Sequence, residues 1–375
     1  MSQPLDDIVG SRFTRRGFLQ KTMIGGLSTT ALLSTMPNPL VRRTSADDQP
    51  PLAHRFIATN GIRMHIAEQG QGPLVILCHG FPESWYSWRH QLAALASAGF
   101  HAVAPDMRGY GQTDRPNEID QYTLLHLVGD MTGLLDSLGD ASAVIVGHDW
   151  GAAVAWHSAL LRPDRFRAVI GLSVPFRARG RVRPTTVMPQ TDTAVFYMLY
   201  FQTLGVAEAE YERDVRDTMR RVLYSLSGDA PPRDPSGART GPAGMVPRQG
   251  GLLSQRTNPT ALPAWLTEAD IDYYTAEFSR TGFRGGLNWY RNIDRNWELL
   301  GAYTGARVNV PALYVAGDRD LVVAAAGGPD QLMANLRTLV PKLRNTIMLP
   351  GCGHWTQQER PKEVNAAIVD FLRAL

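Results

Sequence analysis

Val144-Ile145-Val146-Gly147-His148-Asp149-Trp150-Gly151-Ala152 is the stretch on which the reading of the whole chain turns. Branched apolar residues run into it, as in a strand buried on both faces. Ala-rich, helix-compatible sequence runs out of it, from Ala152 through Leu161. Between them stands Gly-x-Asp-x-Gly, a nucleophile-elbow pattern with Asp at the position where Ser is usual. The glycines have a steric reason. The elbow residue holds a strained backbone angle, and a side chain on either neighbour would strike the strand or the helix. The helix N-terminus also aims its N–H groups at the turn.

An Asp at that point changes the chemistry. A carboxylate is already ionised at neutral pH. A Ser attacking a saturated carbon would form an ether, which water does not readily cleave, whereas an Asp forms an ester, which it does. The elbow therefore points to displacement at an sp³ carbon followed by ester hydrolysis. Taken alone, the motif equally fits an Asp that caps a helix after a strand.

Outward from the elbow, strands alternate with helices. Residues 55–69 alternate apolar and polar about an Asn60-Gly61 turn and predict an antiparallel hairpin. Leu74–Cys78 predicts a buried strand ending at His79-Gly80-Phe81-Pro82. An amphipathic helix over 84–98 follows, with Trp85, Trp88, Leu92 and Leu95 as packing residues. His101–Asp106 is the next strand, Met107-Arg108-Gly109-Tyr110-Gly111 its loop, and Tyr122–Leu138 a helix. Ala168–Ser173 follows the elbow helix as another strand. Such alternation implies a mainly parallel sheet covered on both faces, with its site at the carboxyl ends of the strands. His79, Asp106 and Asp149 all fall there.

After Val174-Pro175-Phe176 the alternation stops. Residues 177 to about 300 read as helices and loops rich in Tyr, Phe and Trp, a cap inserted over the strand ends. Asp229–Gly251, crowded with Pro, Gly, Arg and Ser, reads as a loop. The sheet resumes with Val310–Gly317, ending in Asp318-Arg319-Asp320. The last strand, Thr346–Pro350, leads to Gly351-Cys352-Gly353-His354-Trp355. A closing helix from Pro361 places Val364, Ile368 and Leu372 on one face. Nucleophile, acid and histidine thus occur in the order Asp149, Asp320, His354.

His79-Gly80-Phe81-Pro82, Gly109-Tyr110-Gly111 and Gly147-His148-Asp149-Trp150-Gly151, in this order, resemble the epoxide hydrolases of the α/β-hydrolase fold, and in particular the hydrolase domain of the soluble enzymes. The likeness runs from about residue 52 to the C-terminus. It implies a mostly parallel eight-stranded sheet flanked by helices, with an inserted helical cap. It implies backbone oxyanion donors at Phe81 and Trp150, and Asp320 as the acid, with Asp318 supporting the loop. His79 and His148 hold loops by hydrogen bonding. Phe196–Gln202 and Leu287–Asn292 resemble the segments that carry two active cap tyrosines, which align as Tyr197 and Tyr290, with Tyr200 as the alternative within the first. The expected reaction converts a small apolar epoxide and water to a diol, with no metal or organic cofactor. A haloalkane dehalogenase shares the Asp nucleophile and the Trp after it, but wants a second side-chain N–H for halide where this chain has Phe81. A ligand-binding protein that has lost catalysis is a further alternative.

Thr14-Arg15-Arg16-Gly17-Phe18-Leu19-Gln20 resembles a twin-arginine export motif, and Met23–Met36 is too short and too polar for a membrane span. The expectation is a leader over 1–46 read by the twin-arginine export machinery, delivering a folded protein to the periplasm or outside. The alternative is a disordered basic N-terminus on a cytoplasmic enzyme. The remaining divisions are a core over 47–175, a cap over 176–300 and a second core segment over 301–375. Arg12, Arg15, Arg16, Lys21, Arg42 and Arg43, set against Asp6 and Asp7, more than account for the net charge of +3. The rest of the chain is close to neutral and offers no reason to expect a nucleic-acid partner. Two cysteines, Cys78 and Cys352, are too few for a disulfide framework and lack metal-ligand spacing.

Overall fold

The computed structural model describes residues 51–231 and 244–375. The leader and most of the Pro/Gly-rich stretch in the cap lie outside these. The main sheet contains β1 (Ala53–Thr59), β2 (Ile62–Gln69), β3 (Leu74–Cys78), β4 (His101–Pro105), β5 (Ala143–His148) and β6 (Phe166–Leu172). A ribbon in the cap supplies β7 (Ala194–Phe196) and β8 (Met245–Pro247). β9 (Ala312–Gly317) and β10 (Leu343–Leu349) complete the main sheet, whose order is β1-β2-β4-β3-β5-β6-β9-β10. Only β2 runs against its neighbours. The β1–β2 hairpin turns at Asn60 and Gly61, both at positive φ (44° and 78°), as a two-residue hairpin favours.

The two faces of β5 show why its sequence is apolar throughout. Val144 and Val146 join Val75, Leu77, Trp88, Leu92 and Leu95 on one side, with Val364, Ile368 and Leu372 of the C-terminal helix. Ile145 points the other way, into a cluster with Ile76, Leu127, Met131, Ala155 and Val169. Period-two side-chain alternation between two helical layers makes every position a core position. The layers are α1 (Arg89–Ser97) on the first side and α2 (Leu124–Leu138) with α3 (Trp150–Leu161) on the second.

At the elbow, strand and helix approach as closely as backbones can. A Cβ on Gly147 would lie 2.0 Å from the Gly151 carbonyl oxygen, and one on Gly151 would lie 2.0 Å from that of Cys78. Both glycines are required by contact. Asp149 between them has φ 51°.

Some boundaries differ from the sequence expectations. The helix expected over 84–98 begins as a 3₁₀ turn, Trp85–Trp88, before α1, because Asp106 Oδ1 accepts the Trp85 N–H (3.0 Å) and Ser84 caps the turn. The helix expected from Tyr122 starts at Leu124, with Thr123 as N-cap. The cap is not purely helical. Met245–Pro247, within the stretch expected to be loop, pairs antiparallel with Ala194–Phe196. Buried Val195 and Val246 face each other there, a packing signal too short to register against the surrounding Pro and Gly. The cap helices are α4 (Tyr197–Tyr200), α5 (Val206–Tyr211), α6 (Val215–Ser225), α7 (Glu268–Thr281), α8 (Arg284–Arg291) and α9 (Ile293–Leu299). Then come α10 (Leu321–Ala325), α11 (Pro329–Leu339), α12 (Thr356–Glu359) and α13 (Pro361–Arg373). Cys78 and Cys352 are unpaired buried thiols, and burial pushes both up in pKa.

The loop after β4 is pinned from below. Arg108 donates twice to Asp130 of α2, at 2.8 and 2.6 Å, with both side chains almost fully buried, and Asn60 adds a third donor at 2.9 Å. Removing the carboxylate strands a buried guanidinium, a change worth about 3–5 kcal/mol. Asp130→Ala should lower unfolding stability by that order in urea melts, and a loss under about 1 kcal/mol would mean water reaches Arg108.

Candidate active site

The elbow decides what Asp149 is for. It occupies the N-cap position of α3, yet its side chain makes no capping bond. Its φ of 51° turns the carboxylate into the site. Oδ1 accepts the Phe81 backbone N–H at 2.9 Å, and Oδ2 lies 3.5 Å from His354 Nε2. The capping alternative left open by the motif is therefore not what the side chain does.

His354 follows β10 and turns its other nitrogen to Asp320, 3.2 Å from Oδ1 and 3.3 Å from Oδ2. Asp320 follows β9 and is itself held, as its Oδ1 accepts the Val322 N–H (2.9 Å) while capping α10. Burial alone would lower the His354 pKa, but the charges of Asp320 and Asp149 and hydrogen bonds to both hold it well above its ordinary range. For Asp320, burial raises the pKa, and the His354 charge and several hydrogen bonds outweigh it, so the net shift is downward. Asp318 stays outside this group and accepts the Gly351 N–H at 2.8 Å, a loop contact.

The cap supplies the roof. Tyr197 and Tyr290 rings lie 6.0 Å apart, and Tyr290 meets Phe81 at 5.6 Å and Trp150 at 5.1 Å, all near edge-on. Burial, then the Asp149 charge, pushes both phenols well up, so they stay protonated. Tyr200 is turned away and donates to Glu210 at 2.7 Å. Trp150 sits at the first position of α3, directly after Asp149, with its backbone N–H at the head of the helix. The site thus joins a strained carboxylate, a histidine with its own acid, backbone donors and two phenols from a separate segment.

Comparison with known proteins gives the family. Residues 73–361 match the family described as alpha/beta hydrolase fold. Epoxide hydrolase A of Mycobacterium tuberculosis is 44% identical over 324 residues, spanning 86% of this chain and 97% of that protein. A bifunctional epoxide hydrolase 2 of Sus scrofa is 38% identical over 90% of this chain and 58% of its own length. The solved epoxide hydrolase from an endophytic Streptomyces is 47% identical, with a TM-score of 0.80 over 86% of this chain and 95% of that one. This chain belongs to the epoxide hydrolases of the α/β-hydrolase fold.

Beneath the site lies a layer that sequence reasoning only half found. His79 accepts the Met107 N–H at Nε2 (3.0 Å) and faces the Gly80 carbonyl with Nδ1 (2.9 Å). His148 faces Glu83 Oε2 at 2.7 Å and the His354 carbonyl at 2.7 Å. Both therefore join loops. Glu83 was missed. It is fully buried, accepts the Gly80 N–H (2.9 Å), and takes Gln357 (3.0 Å) and Gln358 (3.2 Å) on its other oxygen. One carboxylate so ties the His79–Pro82 loop to the elbow and to the segment after His354. An acidic residue next to the His-Gly-Phe-Pro run was the available signal. Asp106, though at a strand end, faces His65 (2.8 Å) and serves structure. Ser173 was also missed; its hydroxyl lies 2.5 Å from Asp320 Oδ2 and 3.0 Å from His354 Nδ1. Its position at the end of β6 in a parallel sheet was the signal. In the cap, Gln202 donates to the Tyr290 carbonyl (3.0 Å) and Arg291 to that of Phe201 (3.0 Å), joining the two tyrosine segments.

Glu83 makes a pH prediction. Burial would raise its carboxyl pKa, but the charge and hydrogen bond of His148, the His79 charge and the Gly80 N–H pull it from 4.5 to about 2. A depressed carboxyl contributes stability that is complete above its unfolded pKa and lost on the way down to its folded one. Wild-type unfolding free energy should therefore fall between pH 4.5 and about 2 with a slope that Glu83→Gln lacks, while the variant is less stable at neutral pH. Parallel acid profiles for the two proteins would remove Glu83 from this role.

Proposed function

We propose that the protein hydrolyses an apolar epoxide to a vicinal diol through an ester on Asp149. The observation that carries this is the uncapped, strained Asp149 carboxylate beneath two cap phenols. Oδ2 lies 3.5 Å from His354 Nε2 and takes no backbone donor, so it is the attacking atom. Oδ1 already accepts the Phe81 N–H, and it becomes the ester carbonyl oxygen without moving. As the ring carbon–oxygen bond breaks, Tyr197 and Tyr290 hydrogen-bond the developing alkoxide and deliver a proton. The His354 proton restores the phenol, and the neutral imidazole takes a proton from water, which attacks the Asp149 carbonyl carbon; the Phe81 and Trp150 N–H groups bind the resulting oxyanion, whose collapse breaks the ester bond to the diol oxygen, passes the acyl O–H proton to that oxygen and returns the Asp149 carboxylate. One such donor is worth about 2.7–4 kcal/mol.

Charge couples the two steps. Esterification removes the Asp149 charge that helps keep His354 protonated and the phenols neutral. Loss of that charge lowers the His354 pKa and readies it as a base for the second step. It also makes the phenols better donors as the alkoxide forms. A halide leaving group needs no proton, and Phe81 offers no side-chain N–H to hold one, so the dehalogenase reading leaves both phenols without a task.

His354→Gln should form the ester but not hydrolyse it. Treated with styrene oxide, cyclohexene oxide and 1,2-epoxyhexane in turn, the variant should gain one substrate mass on Asp149 by mass spectrometry. No adduct with any of them, where wild type turns the same epoxide over, would overturn the two-step scheme. Tyr197→Phe and Tyr290→Phe should each slow ester formation without loss of stability, and the double change should nearly abolish it. Ring opening by the double variant at the wild-type rate would remove the phenols from the mechanism.

We also propose export by the twin-arginine route, supported by Arg15-Arg16 ahead of a moderately apolar run. A receptor reads the pair, so conserving charge does not conserve function. Arg15→Lys with Arg16→Lys should retain the protein in the cytoplasm of a host that has the pathway, checked by cell fractionation. Unchanged export would reject the assignment.

A further inference from the structure

Ser173 is fully buried at the end of β6 and has φ 66°, in the left-handed region that a non-glycine residue occupies only under strain. The Val174 N–H donates back to the Leu172 carbonyl at 2.7 Å, closing a tight three-residue turn around it. Two further bonds hold the turn. The Ser173 N–H donates to the Val315 carbonyl (2.9 Å), and Tyr314 donates its hydroxyl to the Ser173 carbonyl (2.6 Å). The turn aims the hydroxyl between Asp320 and His354.

Proton inventory fixes the direction of each bond. An ionised carboxylate only accepts, so the Ser173 O–H points to Asp320 Oδ2, 2.5 Å away. The oxygen then has only lone pairs left for His354 Nδ1, 3.0 Å away, a shorter contact than either direct Asp320 contact. In the neutral imidazole that esterification leaves, the one proton therefore stays on Nδ1, and Nε2, which faces Asp149, is the basic nitrogen.

We propose that Ser173 is a positioning residue for the hydrolytic step: its hydroxyl relays Asp320 to His354, fixes the imidazole tautomer and moderates the pull of the acid on the Nδ1 proton. The inference rests on the two-step reading above. The charged and titratable groups facing His354 are Asp149 from the elbow, Asp320, and His148 with its partner Glu83. Tyr314 reaches it through the Ser173 carbonyl; Tyr197 feels the charges of Asp149 and Asp320, and Arg177 acts on both tyrosines. The acceptor lost to Nδ1–H serves the neutral tautomer and the imidazolium alike, so the sign of the change comes from Asp320. Asp320 loses a donor, becomes more basic and holds the Nδ1 proton more tightly. The imidazolium is then favoured, and the neutral base appears only at higher pH.

The experiment separates the half-reactions. Single-turnover kinetics with excess enzyme, on whichever of styrene oxide, cyclohexene oxide and 1,2-epoxyhexane reacts fastest, give ester formation and ester hydrolysis by rapid quench and mass spectrometry. In Ser173→Ala the acid limb of hydrolysis should rise by about one pH unit, slowing hydrolysis about tenfold on that limb, while ester formation keeps its rate. Ser173→Gly, which relaxes the turn, should show the same limb shift with no loss of stability. That separates the hydroxyl from the backbone strain. Ser173→Asn should restore the limb, because Asn tolerates positive φ and its amide can donate to Asp320. An unchanged limb in the alanine and glycine variants, or equal slowing of both steps, would overturn the proposal. Absence of any ester in wild type would instead overturn the two-step reading itself.

Discussion

The contact between the backbones of β5 and α3 is the constraint on which the site depends. Gly147 and Gly151 let a strand turn directly into a helix with no room for a Cβ on either. That closeness forces Asp149 to φ 51°, where it cannot cap the helix that follows it. A residue that would ordinarily satisfy the helix instead presents its carboxylate to the Phe81 N–H and to His354. The strain at Asp149 and the placing of its carboxylate against the Phe81 N–H and His354 come from one steric fact.

Around that carboxylate the protein places groups whose charges answer one another. His354 is held protonated by Asp320 and Asp149 together, and the phenols of Tyr197 and Tyr290 are held neutral by burial and by Asp149. A change in charge at one atom therefore resets the acid and base strength of three side chains in a low-dielectric space. Beneath them, Glu83 and His148 join the His79–Pro82 loop, the elbow and the His354 loop through buried hydrogen bonds. Asp149, Asp320 and His354 come from separate strand ends, and this layer joins the loops that carry them. The cap is fastened in the same manner, with Gln202 and Arg291 tying the Tyr197 segment to the Tyr290 helix by backbone carbonyls.

Much of this was legible in the sequence because it is local. The all-apolar run Val144–Val146, the period-two hairpin over 55–69 and the turn at Asn60-Gly61 each follow from steric rules that act within a few residues. The elbow glycines and the order Asp149, Asp320, His354 fixed the fold class, since strand–helix alternation puts such residues at one edge of a parallel sheet. What local rules missed was also local in appearance: the 3₁₀ turn at Trp85–Trp88 and the β8 strand at Met245–Pro247 arise from partners far along the chain, Asp106 and Ala194–Phe196.

Tertiary structure alone decided which side chains meet. Tyr197 and Tyr200 lie three residues apart in one short helix, and only the packing of the cap sends Tyr197 toward Asp149 and Tyr200 to Glu210. Ser173 and Glu83 carry no motif, and each acts on residues more than sixty positions away. The sequence by itself determined the strands, the elbow and the chemistry available to an aspartate there, because backbone sterics and side-chain period are short-range. The partners of the hydroxyls, the neighbours of His354 and the different surroundings of Tyr197 and Tyr200 were decided by the fold, because hydrogen-bond partners are set by distances in space that no spacing along the chain encodes.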